Sequence, residues 1–78
     1  MKTTHTTAYT TRRLNSSVNG NPRYELFTPE GYSIGKTRPD SSIAYGPVPN
    51  NEGRGECVIT VHETPTGRRY IDSVEKVA

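Results

Sequence analysis

Three side chains in this chain carry the chemistry that a small transferase or hydrolase needs: the Cys57 thiol, the His62 imidazole and the Asp72 carboxylate. A thiol within hydrogen-bond reach of an imidazole, itself oriented by a carboxylate, is an activated nucleophile. Cys57 and His62 both lie in Cys57-Val58-Ile59-Thr60-Val61-His62, the most apolar stretch, which reads as a strand. Side chains alternate along a strand, so Cys57, Ile59 and Val61 take one face and Val58, Thr60 and His62 the other. Within that strand the thiol and the imidazole cannot meet. His62 with Glu63 fails for the same reason. Cys57 reads as a small buried residue, and the protein is expected not to be an enzyme. A single Cys forms no internal disulfide, and no His/Cys cluster has metal-ligand spacing, so neither metal nor cofactor is expected.

Binding chemistry is better represented. Asn19-Gly20-Asn21-Pro22-Arg23-Tyr24 is the densest motif: a loop running into a strand, offering amides, a guanidinium and an aromatic ring. A nucleic-acid groove uses that inventory, with phosphates on amides and Arg and bases stacked on Tyr. The competing structural reading is a tight turn whose Asn side chains satisfy the loop backbone, with Tyr24 in the core. Charge adds to the binding case. Residues 1–39 have a balance of +4 and no acid before Glu25, whereas residues 40–78 have a balance of −2. Arg12, Arg13, Lys36 and Arg38 extend the patch around Arg23, because strands flanking the Arg23 strand in a meander bring them alongside it. With Asn19 and Asn21 they form the expected nucleic-acid-binding set, giving weak, salt-sensitive contact rather than sequence readout. Arg68-Arg69 falls at a hairpin turn and reads as ordinary exposed charge.

The text from Leu14 to Tyr24, LNSSVNGNPRY, resembles a recurring phrase, roughly NS-x-x-GNPRY, of small uncharacterised proteins from actinobacteria and their phages. In those proteins the phrase is followed by a hairpin, a T-x-x-D-S/A-S-x-x-Y stretch, a V-T-V strand and an I-x-x-V/L tail. Here the corresponding text is Thr37 to Tyr45, Val58 to Val61 and Ile71 to Val74, so the resemblance covers roughly residues 12–76. The chain departs from it at Gly46-Pro47-Val48-Pro49. The resemblance implies a phage or actinobacterial origin and one domain, and it supplies no catalytic residues.

The elements that must position these groups are short. The chain has 78 residues, 29% of them apolar, with no Trp and one Phe, so any core is made mainly of Val, Ile and Tyr. One small domain is expected over residues 8–77, after a Thr-rich flexible N-terminus at residues 1–7. Ala8 to Leu14 is β-prone, and Asn15 to Pro22 is dense in turn formers. Residues 23–37 form a hairpin about Thr28-Pro29-Glu30-Gly31, where Pro presets one dihedral and Gly accepts the positive φ. In that hairpin Tyr24 and Leu26 share a face. Asp40 or Ser41 caps a single helical turn whose Ile43 or Tyr45 plugs the core. Gly46 to Gly55 reads as the most mobile internal loop. After the Cys57–His62 strand, Thr64-Pro65-Thr66-Gly67 turns the chain into a last strand. There the 71/74/77 apolar spacing calls for a bulge or a terminal turn. Five short strands with one helical turn between the third and fourth give an all-β fold, a small five-stranded barrel, OB-like or SH3-like.

The function expected from these readings is a non-enzymatic binding module with weak, salt-dependent affinity for DNA or RNA. The alternatives are a protein-interaction module that modulates a host protein, using the Asn19–Pro22 loop and nearby tyrosines, or a structural domain that forms a homo-oligomer. Edge pairing through Thr-rich residues 3–11 would join two copies. No apolar run has the length of a signal peptide or a span, so no membrane partner is expected and the compartment is cytoplasmic.

Overall fold

The structure is a computed structural model describing residues 1–77. It is mostly β. Six strands, β1 (Lys2–Thr7), β2 (Thr10–Arg13), β3 (Tyr24–Phe27), β4 (Ser33–Thr37), β5 (Cys57–Glu63) and β6 (Arg69–Lys76), form one mixed sheet in the order β1-β5-β6-β4-β3-β2. A 3-10 turn (Ser42–Tyr45) and a short helix α1 (Pro47–Asn51) lie between β4 and β5. All pairings are antiparallel except β4 with β6, which is parallel over Lys36 to Tyr70 and Thr37 to Ile71.

The expected small five-stranded barrel, OB-like or SH3-like, is corrected on two counts: there are six strands among the described residues, and the sheet is open. Of the region read as β-prone, Ala8 to Leu14, Thr10–Arg13 forms β2, and Ala8-Tyr9 is the connection from β1. Residues 1–7, expected to be a flexible end, contain β1 instead, with Lys2 to Thr7 in register against His62 to Cys57. β-Branched Thr residues suit this position, because a sheet edge needs backbone pairing more than apolar side chains. β1 and β2 lie on opposite edges of the sheet yet are joined by two residues, a reach of at most about 11 Å. The sheet must therefore coil to bring those edges together at Ala8-Tyr9. Closure there is preempted: the Thr11 N–H donates to Glu52 Oε2 at 2.7 Å, and Tyr9 O accepts from the Gly53 N–H at 3.4 Å. The backbone groups that would seal a barrel at that edge are taken by the segment after α1.

The core is small. Tyr9, Leu26, Ile34, Val48, Cys57, Ile59, Val61, Ile71 and Val74 are buried together, with Tyr24 and Ile43 packed on them. Cys57, Ile59 and Val61 lie on one face of β5, as alternation requires. A bulge at Asp72 resolves the irregular spacing in β6, since Val61 pairs with Ile71 and Thr60 with Ser73. Ile71 and Val74 therefore both point inward. The 28–31 turn forms as expected, with the Gly31 N–H donating to Thr28 O at 2.9 Å and Gly31 at φ 92°. One expectation fails nearby and one holds. Ser41 stands at the N-cap of the 3-10 turn without a side-chain bond, while of the two candidates for the core Ile43 packs inward and Tyr45 is exposed. Within 46–55, expected as a mobile loop, Pro47–Asn51 is helical and Val48 is fully buried. Proline at the first helical position carries no N–H that the helix would leave unpaired, which suits it to start that turn.

Candidate nucleic-acid interface

Strand register builds one face of the sheet from residues far apart in sequence. Lys2 lies beside His62, His62 beside Tyr70, Tyr70 beside Lys36, Lys36 beside Glu25, and Glu25 beside Arg12. This row crosses all six strands on the face away from the core. The next row inward runs through Val61, Ile71 and Thr37, all buried. The Thr37 hydroxyl is satisfied there, accepting from the Tyr24 N–H at 3.0 Å.

On the outer face some cations are neutralised and others are not. Arg12 Nη2 donates to Glu25 Oε1 at 3.0 Å and its guanidinium lies over Phe27, 5.8 Å from the ring centre. Arg38 donates to Asp72 Oδ1 at 3.1 Å and covers Tyr70 at 5.0 Å, and Lys2 reaches Asp72 Oδ2 at 3.4 Å. Arg23, Lys36, Arg68 and Arg69 form no ion pair among the described residues. All four line one cleft of about 500 Å³ beside β4 and the β5–β6 hairpin tip. Its one carboxylate, Glu25, is committed, with Oε1 on Arg12 and Oε2 accepting from Ser33 Oγ at 2.8 Å. Tyr70 forms part of the wall.

The expected seven-residue site is thus redistributed. Arg23 and Lys36 belong to the cleft. Arg12 and Arg38 share its face, each held by a carboxylate. Arg13, one residue beyond Arg12, points to the opposite face, donates to Ser16 Oγ at 3.1 Å and covers Tyr24. Arg68 and Arg69, read as plain surface charge, complete the cleft. The double arginine is visible in sequence. Its approach to Arg23 depends on the parallel β4–β6 pairing, which no local pattern announces.

Asn19 and Asn21 carry a structural load instead. Asp40, the only non-glycine among the described residues at positive φ (62°), accepts from Asn19 Nδ2 at 2.9 Å, from Asn21 Nδ2 at 2.7 Å and from Ser17 Oγ. Asn21 Oδ1 accepts from the Tyr45 hydroxyl, and Ser17 Oγ also accepts from the Asn21 N–H at 3.1 Å. The two amides thus tie residues 17–21 to the turn after β4, the structural role that competes with phosphate contact. The tie leaves Val18 fully exposed at the loop tip.

These contacts have a sign with pH. Hydrogen bonds from Ser17, Asn21 and Asn19 hold the Asp40 carboxyl below its ordinary 3.8. At Asp72 burial opposes ionisation, but Arg38 and Lys2 outweigh it and also hold the carboxyl below 3.8. The unfolded chain then binds more protons, so both contributions are complete above about pH 4 and are lost as pH falls through the lowered native values. Thermal melts between roughly pH 2 and 6 should show Tm falling at the acid end. Asp40→Asn should flatten that fall, and parallel curves for the two proteins would assign acid sensitivity elsewhere.

Comparison with protein-family models, with curated proteins and with solved structures finds no match for this chain. Among the described residues no group of three His, Cys, Asp or Glu could hold a metal ion, and no helix is long and apolar enough to cross a membrane.

Proposed function

We propose that this protein is a non-enzymatic binding module of phage or actinobacterial type, which holds DNA or RNA weakly by its phosphates on the outer sheet face. The observation that supports this is the gathering of Arg23, Lys36, Arg68 and Arg69 in one cleft without acidic partners among the described residues. Contact is with the backbone rather than the bases, because Arg38 and Arg12 already cover the Tyr70 and Phe27 rings. A base reaches those rings only by displacing an arginine from its carboxylate.

Four neutralised phosphates on a single strand give a salt slope near −3, so affinity falls roughly 50-fold between about 50 and 200 mM salt. Fluorescence anisotropy of labelled single-stranded and duplex DNA and RNA measures this. Arg23→Glu with Lys36→Glu should abolish binding, while Arg54→Glu, which changes a cation outside the cleft, should cost at most a few-fold. Equal losses from the two changes would reduce the site to bulk charge. No binding at low salt would overturn the reading.

A second reading, self-association, draws support from the two sheet edges. The β2 edge is occupied by Glu52 and Gly53, whereas β1 pairs with β5 alone among the described residues. Antiparallel pairing of two β1 strands about Thr4 sets Thr4 against Thr4 and Lys2 against Thr6, with no like charges opposed. A single free edge joins two copies and then stops. Sedimentation of the anisotropy samples reads it directly: a concentration-dependent dimer supports this reading, and a monomer throughout removes it.

A further inference from the structure

The Arg23 side chain poses a problem that the nucleic-acid reading leaves unexplained. Its Nε is buried and has no hydrogen-bond partner among the described residues. A buried charged donor without an acceptor is costly, and native structures resolve such cases with an ordered water or an ion. The neighbouring carboxylate does not resolve it, since both Glu25 oxygens are engaged by Arg12 and Ser33. Arg23 lines the cleft together with Lys36, Arg68 and Arg69, so the unpartnered N–H belongs to a side chain on a wall that concentrates positive charge. Water would satisfy the N–H and leave that charge uncompensated. An anion satisfies both.

We infer that the cleft seats one phosphoryl group, with the Arg23 guanidinium as a donor and Lys36, Arg68 and Arg69 as the surrounding charge. This inference rests on the nucleic-acid reading and makes it local, assigning one backbone phosphate a defined seat. Three features fit a phosphoryl group carried on something larger. The cleft volume of about 500 Å³ far exceeds a free phosphate and lies in the range of small-ligand sites. Gly35 and Gly67 in its lining present backbone without side-chain obstruction. Arginine's planar fork matches phosphate oxygens in a way lysine's point charge does not. Because the Arg23 Nε is buried, the side chain shifts to present its N–H when the anion arrives.

The test is an amide and arginine-side-chain NMR titration of the full chain at constant ionic strength. The probes are inorganic phosphate, thymidine monophosphate, thymidine and a ten-residue oligothymidylate. Phosphate and the monophosphate should shift the Arg23 Nε–H and the amides of Gly35, Gly67, Arg69 and Tyr70, while thymidine should not. A stronger response to the monophosphate than to phosphate assigns the seat to a nucleotide-borne group, and the reverse assigns it to the free anion. Arg23→Lys keeps the charge and removes Nε, and it should weaken the response at least tenfold. Arg23→Gln serves as a second variant, with unchanged shifts outside the cleft as the folding control for both. Shifts spread equally over Arg13, Arg54 and Lys76, or an undiminished response in Arg23→Lys, would overturn the seat. If the oligonucleotide binds without disturbing the cleft, the seat fails and the nucleic-acid reading survives. If phosphate seats and the oligonucleotide does not bind, the seat stands and that reading fails.

Discussion

Tyr9→Ala leaves the chain unfolded at 25 °C. Tyr9 is 1% exposed and occupies the two-residue corner where the chain passes from β1 on one sheet edge to β2 on the other. Removing a buried aromatic costs about 3–5 kcal/mol. That is as much as the ~3–5 kcal/mol a core of this size supplies in total. The ring is also the strut beneath α1, since its hydroxyl donates to Val48 O at 2.6 Å, with Pro47 O at 3.2 Å. Tyr9→Phe keeps the ring and removes only the donor, leaving a buried carbonyl unpaired at a cost of about 1–3 kcal/mol. The result should be a folded protein with Tm lower by roughly 5–20 °C. Burial pushes the Tyr9 hydroxyl above its ordinary value of 10.0, with Cys57 and Glu52 adding to the shift. Its neutral form is thus favoured in the folded state, and stability is lost as pH rises above about 10, where the unfolded chain ionises first. Tyr9→Phe should lose that alkaline sensitivity. A dispersed NMR spectrum for Tyr9→Ala would show that the corner does not hold the fold.

Gly35→Ala should be the most damaging single-methyl change. A Cβ on Gly35 would stand 3.0 Å from Arg69 O and 3.2 Å from Ile71 Cδ1, and the residue has φ +156°. The nearest obstacle is backbone, so relief requires β4 and β6 to move apart at their short parallel junction. Strain and overpacking together cost about 2–4 kcal/mol, which lowers Tm by roughly 10–25 °C. The cleft opens at that junction, so the variant should also lose anion binding at temperatures where it remains folded. A thermal melt paired with the phosphate titration checks both. Gly67 provides the contrast for space, with nothing within 4 Å of where a methyl group would sit, though its φ of +86° still strains any side chain. A Gly35→Ala protein melting like the parent would mean that the approach of Gly35 to Arg69 is not a tight constraint.

Local chemistry made part of this molecule legible in its sequence. The 28–31 turn followed from Pro and Gly at positions with defined dihedral needs, and the burial of Cys57, Ile59 and Val61 followed from a two-residue period. The 71/74/77 apolar spacing called for a bulge or a terminal turn, and strand register puts the bulge at Asp72. The meander of β2, β3 and β4 was also readable, and it set Arg12, Glu25 and Lys36 side by side. Elements whose partners lie far along the chain were misread. The Thr-rich start lacks apolar residues and looks unanchored, but β5 offers it an edge roughly fifty residues away or more. Residues 46–55 have a loop's composition, yet Tyr9 fixes Val48 from the other end of the chain. The Asn19 and Asn21 amides suited phosphate as well as they suit Asp40, and composition has no means of choosing between acceptors.

By itself the sequence determined what near neighbours decide: the 28–31 turn, the alternation and buried face of β5, and an excess of positive charge toward the N-terminal half. Those properties depend on steric preference and side-chain polarity within a few residues. The tertiary structure decided which cations keep a partner. Glu25 and Asp72 neutralise Arg12, Arg38 and Lys2, while the parallel β4–β6 contact brings Arg68 and Arg69 to Arg23 and Lys36, where no free carboxylate lines the cleft. Electrostatic pairing acts through space over a few ångströms, so only strand order and register determine where this chain has positive charge left to offer.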